Sequence, residues 1–239
     1  MKLKFLEKKK ITSDERSDER YAKLITHHDP KHFVAEAYRM LRTNIQFASI
    51  DHPLQTIMVT SSAPLEGKTI TASNLAVVMA QADKQVLLVD ADLRKPTVHH
   101  TFRLPNRLGL TNLLVENREL TEVIQATNIP NLSILTSGPI PLNPAELLNS
   151  KKMKRLIEEL LSHYDLILFD APSVLAVTDA QILSNLVDGV LLVVNAGTTN
   201  RDVLIKAKRQ LDQVHANIIG TILNNKSIEG HSYYYYYYN

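Results

Sequence analysis

Thr56-Ile57-Met58-Val59-Thr60-Ser61-Ser62-Ala63-Pro64-Leu65-Glu66-Gly67-Lys68-Thr69-Ile70 is the stretch that organises the rest of the chain. It opens on an apolar β-type run, crosses a tight loop and enters a helical pattern over 70–82. Strand, loop, Gly-Lys-Thr and helix in this order is the context of a phosphate-binding P-loop. Loop N–H groups and the positive end of the following helix converge there on anionic oxygens. Lys68 adds a point charge at the β/γ-phosphates, and the Thr69 hydroxyl is placed to ligate Mg²⁺. The candidate nucleotide-binding residues are therefore Ser62, Ala63, Pro64, Leu65, Glu66, Gly67, Lys68, Thr69 and Ile70. Two positions depart from the usual pattern: Ser62 stands where a first Gly is common, and Leu65 interrupts the loop. If residue 65 requires a positive φ, leucine costs about 1–2 kcal/mol there. Gly-Lys-Thr alone recurs by chance; two acidic motifs further along make the signal strong.

The first is Val86-Leu87-Leu88-Val89-Asp90-Ala91-Asp92-Leu93-Arg94-Lys95-Pro96, a short apolar strand that ends in acid. Ligand chemistry in an open parallel sheet sits at the carboxyl ends of strands, which gives Asp90 and Asp92 the address for Mg²⁺ or for a base. Taken alone, the pair reads equally well as an Asx-type loop start before Pro96. The second is Leu166-Ile167-Leu168-Phe169-Asp170-Ala171-Pro172, four apolar residues delivering a carboxylate in a Walker B pattern.

Outward from these motifs the chain alternates helix and strand to its end, which predicts an α/β, doubly wound, mostly parallel sheet of the P-loop NTPase type. At 239 residues, one such domain (29–225) accounts for most of the length, with an N-terminal arm (1–28) and a tail (226–239). The net charge of +2 gives no field for nucleic acid, and none is expected as a partner. Absent cysteine excludes disulfides, thiolate metal sites and a Cys nucleophile, and fits a reducing compartment. No signal peptide is evident, and no apolar run approaches the roughly 20 residues of a membrane span, so a cytoplasmic protein is expected.

Four features remain. Asp29-Pro30 reads as a helix start, with Asp29 as N-cap. On the helix that follows, Glu36, Arg39 and Arg42 succeed one another at i, i+3 steps. Spacing alone favours a solvated face over an interface with another subunit. Asn224-Asn225 ends the last strand and reads equally as an adenine contact or a turn. Tyr233, Tyr234, Tyr235, Tyr236, Tyr237 and Tyr238 form a low-complexity run. Six phenols beside an ATP site also suggest phosphate acceptors.

With these residues in hand, the chain resembles the bacterial tyrosine kinases of the Gram-positive cytoplasmic type associated with capsular or exopolysaccharide synthesis, over about residues 35–238. The P-loop matches Walker A, residues 86–96 are similar to Walker A′, and residues 166–172 to Walker B. Glu36, Arg39 and Arg42 fit the family's Glu-x-x-Arg-x-x-Arg oligomerisation motif, and residues 135–148 its proline-rich stretch. Leu65 stands where the family has Gly. The resemblance implies ATP- and Mg²⁺-dependent autophosphorylation of the tyrosine tail in trans, in a ring-like homo-oligomer. It also implies a transmembrane polysaccharide co-polymerase as activator, which recruits the protein to the inner face of the plasma membrane, and a cognate tyrosine phosphatase. On this reading Lys68, Asp90, Asp92 and Asp170 are catalytic, with Thr69, Asp92 and Asp170 on the metal and Asp90 orienting or deprotonating the phenol. The alternative is a ParA/MinD-like ATPase that positions or partitions a partner. Such enzymes carry a signature lysine where this chain has Ala63.

Overall fold

The computed structural model describes residues 20–48 and 53–226. In chain order the elements are α1 (Ile25–His28), α2 (Phe33–Phe47), β1 (Thr56–Ser61), α3 (Lys68–Ala80), β2 (Val86–Asp90), α4 (Val98–Phe102), α5 (Leu110–Val115) and α6 (Leu120–Val123). There follow β3 (Gln125–Ala126), β4 (Leu132–Leu135), α7 (Pro144–Leu148), α8 (Lys151–Leu160), β5 (Leu166–Asp170), α9 (Asp179–Ser184), β6 (Gly189–Asn195), α10 (Arg201–Gln213) and β7 (Ile218–Asn224). The strands form one sheet in the order β3-β4-β2-β5-β1-β6-β7, parallel except for β3, which runs antiparallel to β4.

Strands buried on both faces read as unbroken apolar runs, and period-2 alternation divides each run between two cores. In β5, Ile167 and Phe169 face a core shared with Met153, Leu156 and Leu160 of α8 and Leu211 of α10. Leu166 and Leu168 face the opposite core, with Leu75, Val78 and Met79 of α3. The doubly wound α/β sheet expected from the alternation of elements is the one observed. Helix α3 is buried on nearly every side, which accounts for its small and apolar composition. The sheet covers one side; α1 and α2 pack against it as well.

Residues 20–28, assigned from sequence to a mobile arm, pack onto the domain instead. Leu24 and Thr26 are fully buried. The Thr26 N–H and hydroxyl both donate to Asn74 Oδ1 on α3, at 3.1 and 2.9 Å. Asn74 Nδ2 donates back to the Lys23 carbonyl at 2.9 Å, and Gln81 Nε2 to the Thr26 carbonyl at 3.1 Å. The helix start expected at Asp29-Pro30 lies three residues later. His32 is the N-cap of α2 and its Nδ1 accepts from Val34 N, while Asp29 closes α1. The single turn of α1 ends just before Asp29-Pro30, which leaves that pair to the connection with the fifteen-residue α2. Helix α6 ends at Val123, because Gln125 and Ala126 pair with Ile134 and Ser133 at the sheet edge.

Candidate active site

Strand order brings the carboxyl ends of β2, β5 and β1 side by side: Asp90 is in register with Asp170, and Asp170 with Val59. The P-loop leaves β1 at this edge. Leu65 has φ +69 and Gly67 φ +93, so the loop does demand left-handed backbone at the leucine. Leu65 is 95% exposed, and no packing offsets that cost. Glycine is required at 67 on two counts, since a Cβ there would also lie 2.1 Å from Asn224 Nδ2.

Side chains distant in sequence brace the loop. Glu66 Oε2 accepts from Ala63 N at 3.0 Å, Glu66 Oε1 accepts the Thr199 hydroxyl, and Asn224 Nδ2 donates to the Glu66 carbonyl at 2.9 Å. Asn224 thus reaches the nucleotide face, and its amide nitrogen is engaged by the P-loop itself. Ser61 Oγ donates to the Ala63 carbonyl at 2.8 Å and lies 3.0 Å from Ser173 Oγ.

Below the loop, one lysine faces three carboxylates. Lys68 Nζ donates to Asp92 Oδ2 at 2.8 Å and lies 3.7 Å from Asp170 Oδ1. Thr69 Oγ1 donates to Asp170 Oδ2 at 2.7 Å. Asp92 Oδ1 accepts from Lys95 N, and Asp90 Oδ2 accepts from the N–H groups of Thr97 and Val98, each at 3.0 Å. Asp90 Oδ1 and Asp170 Oδ1 are buried without a hydrogen-bond partner among the described residues. Burial pushes the Asp90 carboxyl up to about 8; the Asp170 charge adds to this and the Val98 N–H opposes it. Burial likewise raises Asp170, against the pull of Lys68 and Thr69. Burial disfavours the Lys68 ammonium, but Asp170 and Asp92 outweigh it and hold its pKa above the ordinary value.

The set is short of positive charge and rich in hard oxygen atoms, two of them without a hydrogen bond. Those are the terms on which Mg²⁺ binds, with few protein ligands and the remainder from water and phosphate. Thr69, Asp92 and Asp170 fit the cation as ligands or through water. Asp90 is enclosed, with no exposure and one oxygen committed to the 97–98 amides; Asp92 keeps a little.

Of the other residues singled out, Glu36 pairs with Arg39 on α2 (Nε–Oε2 2.7 Å), and Arg39 also donates to the Pro30 carbonyl at 2.9 Å. Arg42 donates to the Val78 carbonyl of α3 at 2.7 Å, which fastens α2 to the P-loop helix within one chain. The tyrosines at 233–238 lie outside the described residues. Sequence reasoning missed two features. One is the bidentate clasp of Arg94 on buried Asp179, at 2.8 and 2.9 Å, which ties the loop after β2 to α9. The other is the role of Thr199 against Glu66. Neither has a local signal, because the partners stand 85 and 133 residues apart.

Comparison with known proteins places this geometry. A family model described as an AAA domain matches residues 54–220. The chain is 51% identical over 209 residues to the tyrosine-protein kinase YwqD of Bacillus subtilis, covering 87% of this chain and 88% of that one. The chain belongs to the bacterial tyrosine-protein kinases. The crystal structure of the chimerical protein CapA2B2 superposes with a TM-score of 0.83 at 42% identity, covering 86% of this chain and 91% of that one. MinD of Pyrococcus horikoshii, at 24% identity and a TM-score of 0.59 over 71% of this chain and 69% of its own, shares the fold alone. This tyrosine kinase is thus built on a P-loop nucleotide-binding sheet. No described helix is long and apolar enough to cross a membrane.

Proposed function

We propose that the chain is an ATP-dependent autokinase that phosphorylates its own tyrosine run, residues 233–238, in trans, and that this regulates capsular or extracellular polysaccharide synthesis and export. The observation that carries the reading is the enclosure of Lys68 by Asp92 and Asp170, beside Thr69, at the mouth of the P-loop. In-line phosphoryl transfer asks a protein mainly for positioning and charge stabilisation, and these groups supply both. Bound ATP provides the phosphoryl group, and Mg²⁺ neutralises charge that develops on it. Lys68 holds the β/γ-phosphates, which requires it to exchange Asp92 for phosphate. Thr69 and Asp170 would hold the cation, and Asp92 would reach it through water. Sequence assigned the phenol to Asp90, but its enclosure makes Asp92 the better group to accept a hydrogen bond from an incoming tyrosine; Asp90 shapes the loop at 97–98 and the charge of the site.

Homo-oligomerisation through α2 belongs to the same reading. Phe33, Met40 and Phe47 recur every seven residues on that helix and are each at least half exposed, the pattern of a face that packs on another helix. The name CapA2B2 belongs to a chimera. By analogy we infer a separate membrane activator for this chain, a transmembrane polysaccharide co-polymerase that recruits it to the membrane, and a tyrosine phosphatase that resets it.

The test mixes two defective proteins, Lys68→Met with its tail intact and an active-site-intact chain with all six tail tyrosines changed to Phe. Transfer in trans is expected to place phosphotyrosine on the Lys68→Met chain. If that chain stays unmodified while wild type is labelled under the same conditions, the trans mechanism fails. Release of free phosphate with no phosphotyrosine on wild type would instead indicate an ATPase switch.

A further inference from the structure

The loop after β4 and the helix α5 enclose a groove of about 440 Å³ that the phosphate site does not use. Val115, Pro139, Ile140, Pro141 and Leu142 provide its apolar surface. Its walls are held in place. The N–H groups of Leu110 and Thr111 donate to the carbonyls of Thr136 and Ser137 at 2.8 and 2.9 Å. Asn106 bonds both the N–H and the carbonyl of Gly138, at 2.8 and 3.1 Å. A Cβ at Gly109 would lie 2.1 Å from Gly138 N, so the two segments meet backbone to backbone. Yet Leu142 is 99% exposed and Ile140 65%. Apolar side chains held open on a braced loop are an interaction surface.

We propose that this groove docks the tyrosine run 233–238 of a second copy of the chain, holding one ring while another tyrosine of the run enters the phosphate site. The proposal takes transfer in trans from the function proposed above and adds a separate docking site. Three observations select this occupant. First, the lining matches an unmodified tyrosine: prolines and branched aliphatics for the ring, and carboxylates of Glu116 and Glu146 at the rim for the hydroxyl. Glu116 is also bonded by Arg118 and Asn112, but no lysine, arginine or histidine is among the lining residues. A phosphotyrosine, carrying about −1.5 to −2 charge at pH 7, would meet the two carboxylates, while the nearby cations Arg118 and Lys152 are already engaged by Glu116, so release of the product is favoured.

Second, the groove lies on the same sheet edge as the site. Strand β4 is the neighbour of β2, whose carboxyl end carries Asp90. The site formed by Lys68, Thr69 and Asp170 opens at β5 and β1, two to three strand spacings from β4, roughly 10–15 Å. An extended chain covers that distance in about three to five residues.

Third, this geometry accounts for six tyrosines in succession. A ring seated in the groove needs another acceptor about three to five positions along, and a run of six tyrosines supplies such a pair in more than one register. As each acceptor is modified, the run can shift and present the next.

The test is fluorescence anisotropy with a labelled synthetic peptide of residues 226–239 titrated with the full chain, without nucleotide. Saturable binding is expected. It should weaken at least tenfold for the doubly substituted chain Ile140→Asp/Leu142→Asp, and equally for a peptide phosphorylated on its tyrosines. Both substituted side chains are largely exposed, so the variant should melt with the wild type. Equal affinity for the variant chain, or for the phosphorylated peptide, would overturn the proposal. If the peptide binds only a chain whose own six tyrosines are changed to Ser, each chain fills its own groove and the assignment to a second copy is wrong. None of these readings needs phosphoryl transfer. A wild type that makes no phosphotyrosine would sink the proposed function and leave the docking result standing.

Discussion

Leu65 and Asp90 each hold a state that their chemistry disfavours. Leucine at φ +69 costs about 1–2 kcal/mol relative to a residue without a Cβ. Glycine returns part of this through the greater freedom of the unfolded chain, about 0.4–1 kcal/mol. Leu65→Gly is therefore expected to stabilise the nucleotide-free protein by roughly 0.5–1 kcal/mol, read as a higher urea midpoint at unchanged slope. No gain would mean that the exposed leucine has a partner in solution. Asp90 gives a pH signature. Its folded-state pKa is about 8 against 3.8, so between those values the folded state holds a proton that the unfolded state has lost. Stability then falls as pH rises through that window and levels above about 8. His99 opposes this at the acid end: burial takes it down to about 4 from 6.5, so its contribution rises over that interval. The two trends offset one another below about pH 6.5; from there to about 8 the Asp90 decline is unopposed by His99 and shares its sign with that of Asp170, whose carboxyl is also raised by burial. In metal-free buffer, Tm should drop across that upper interval in wild type and drop less steeply in Asp90→Asn. An equal drop in both would assign the titration to another group.

At the scale of elements, α3 carries the P-loop at one end and the N-terminal segment along its outer side. Asn74 is the junction, bonded to Thr26 and Lys23 on the segment and to the Ile70 carbonyl on its own helix. Removing the amide strands buried donors and acceptors, at about 1–3 kcal/mol for such a group. Asn74→Ala should lower unfolding free energy by roughly 2–3 kcal/mol and make cleavage sites around 20–28 accessible to limited proteolysis. Unchanged proteolysis would show that Leu24 burial alone holds the segment. This junction also marks where sequence reading stopped. The sheet was legible because β1, β2 and β5 each show an apolar run ended by loop chemistry, and the acids at 90, 92 and 170 sit where strands end. The 20–28 segment was not, because its charged neighbours conceal a single turn whose burial depends on Leu24 and Thr26. The Arg94–Asp179 clasp and the Glu66–Thr199 contact were invisible for a related reason: each residue type is ordinary at its position, and only tertiary folding gives it a partner.

At the scale of the whole molecule, the proposed homo-oligomer raises the question of which surface would join the copies. Sequence motif and resemblance pointed to Glu36, Arg39 and Arg42, yet Arg42 is engaged within its own chain at the Val78 carbonyl. Its replacement would loosen α2 from α3 as well as any interface, so a loss of oligomer after Arg42→Ala would be ambiguous. The seven-residue stripe separates the two effects. Met40 lies at its centre between Phe33 and Phe47, is half exposed, and belongs to neither described hydrophobic core. Placing a charge there costs the monomer little, whereas a helix-on-helix interface would have to bury that charge unpaired. Met40→Glu should therefore leave the melting temperature within about 2 °C of wild type, the size expected for an exposed substitution, while shifting the mass in light scattering to the monomer. Tail phosphorylation by the monomeric variant should then rise with protein concentration, because transfer in trans requires encounters that the assembled protein already provides. An oligomer mass unchanged from wild type would remove α2's exposed face from the interface. A monomer that phosphorylates its tail at a concentration-independent rate would show that assembly and transfer are separate properties of the chain.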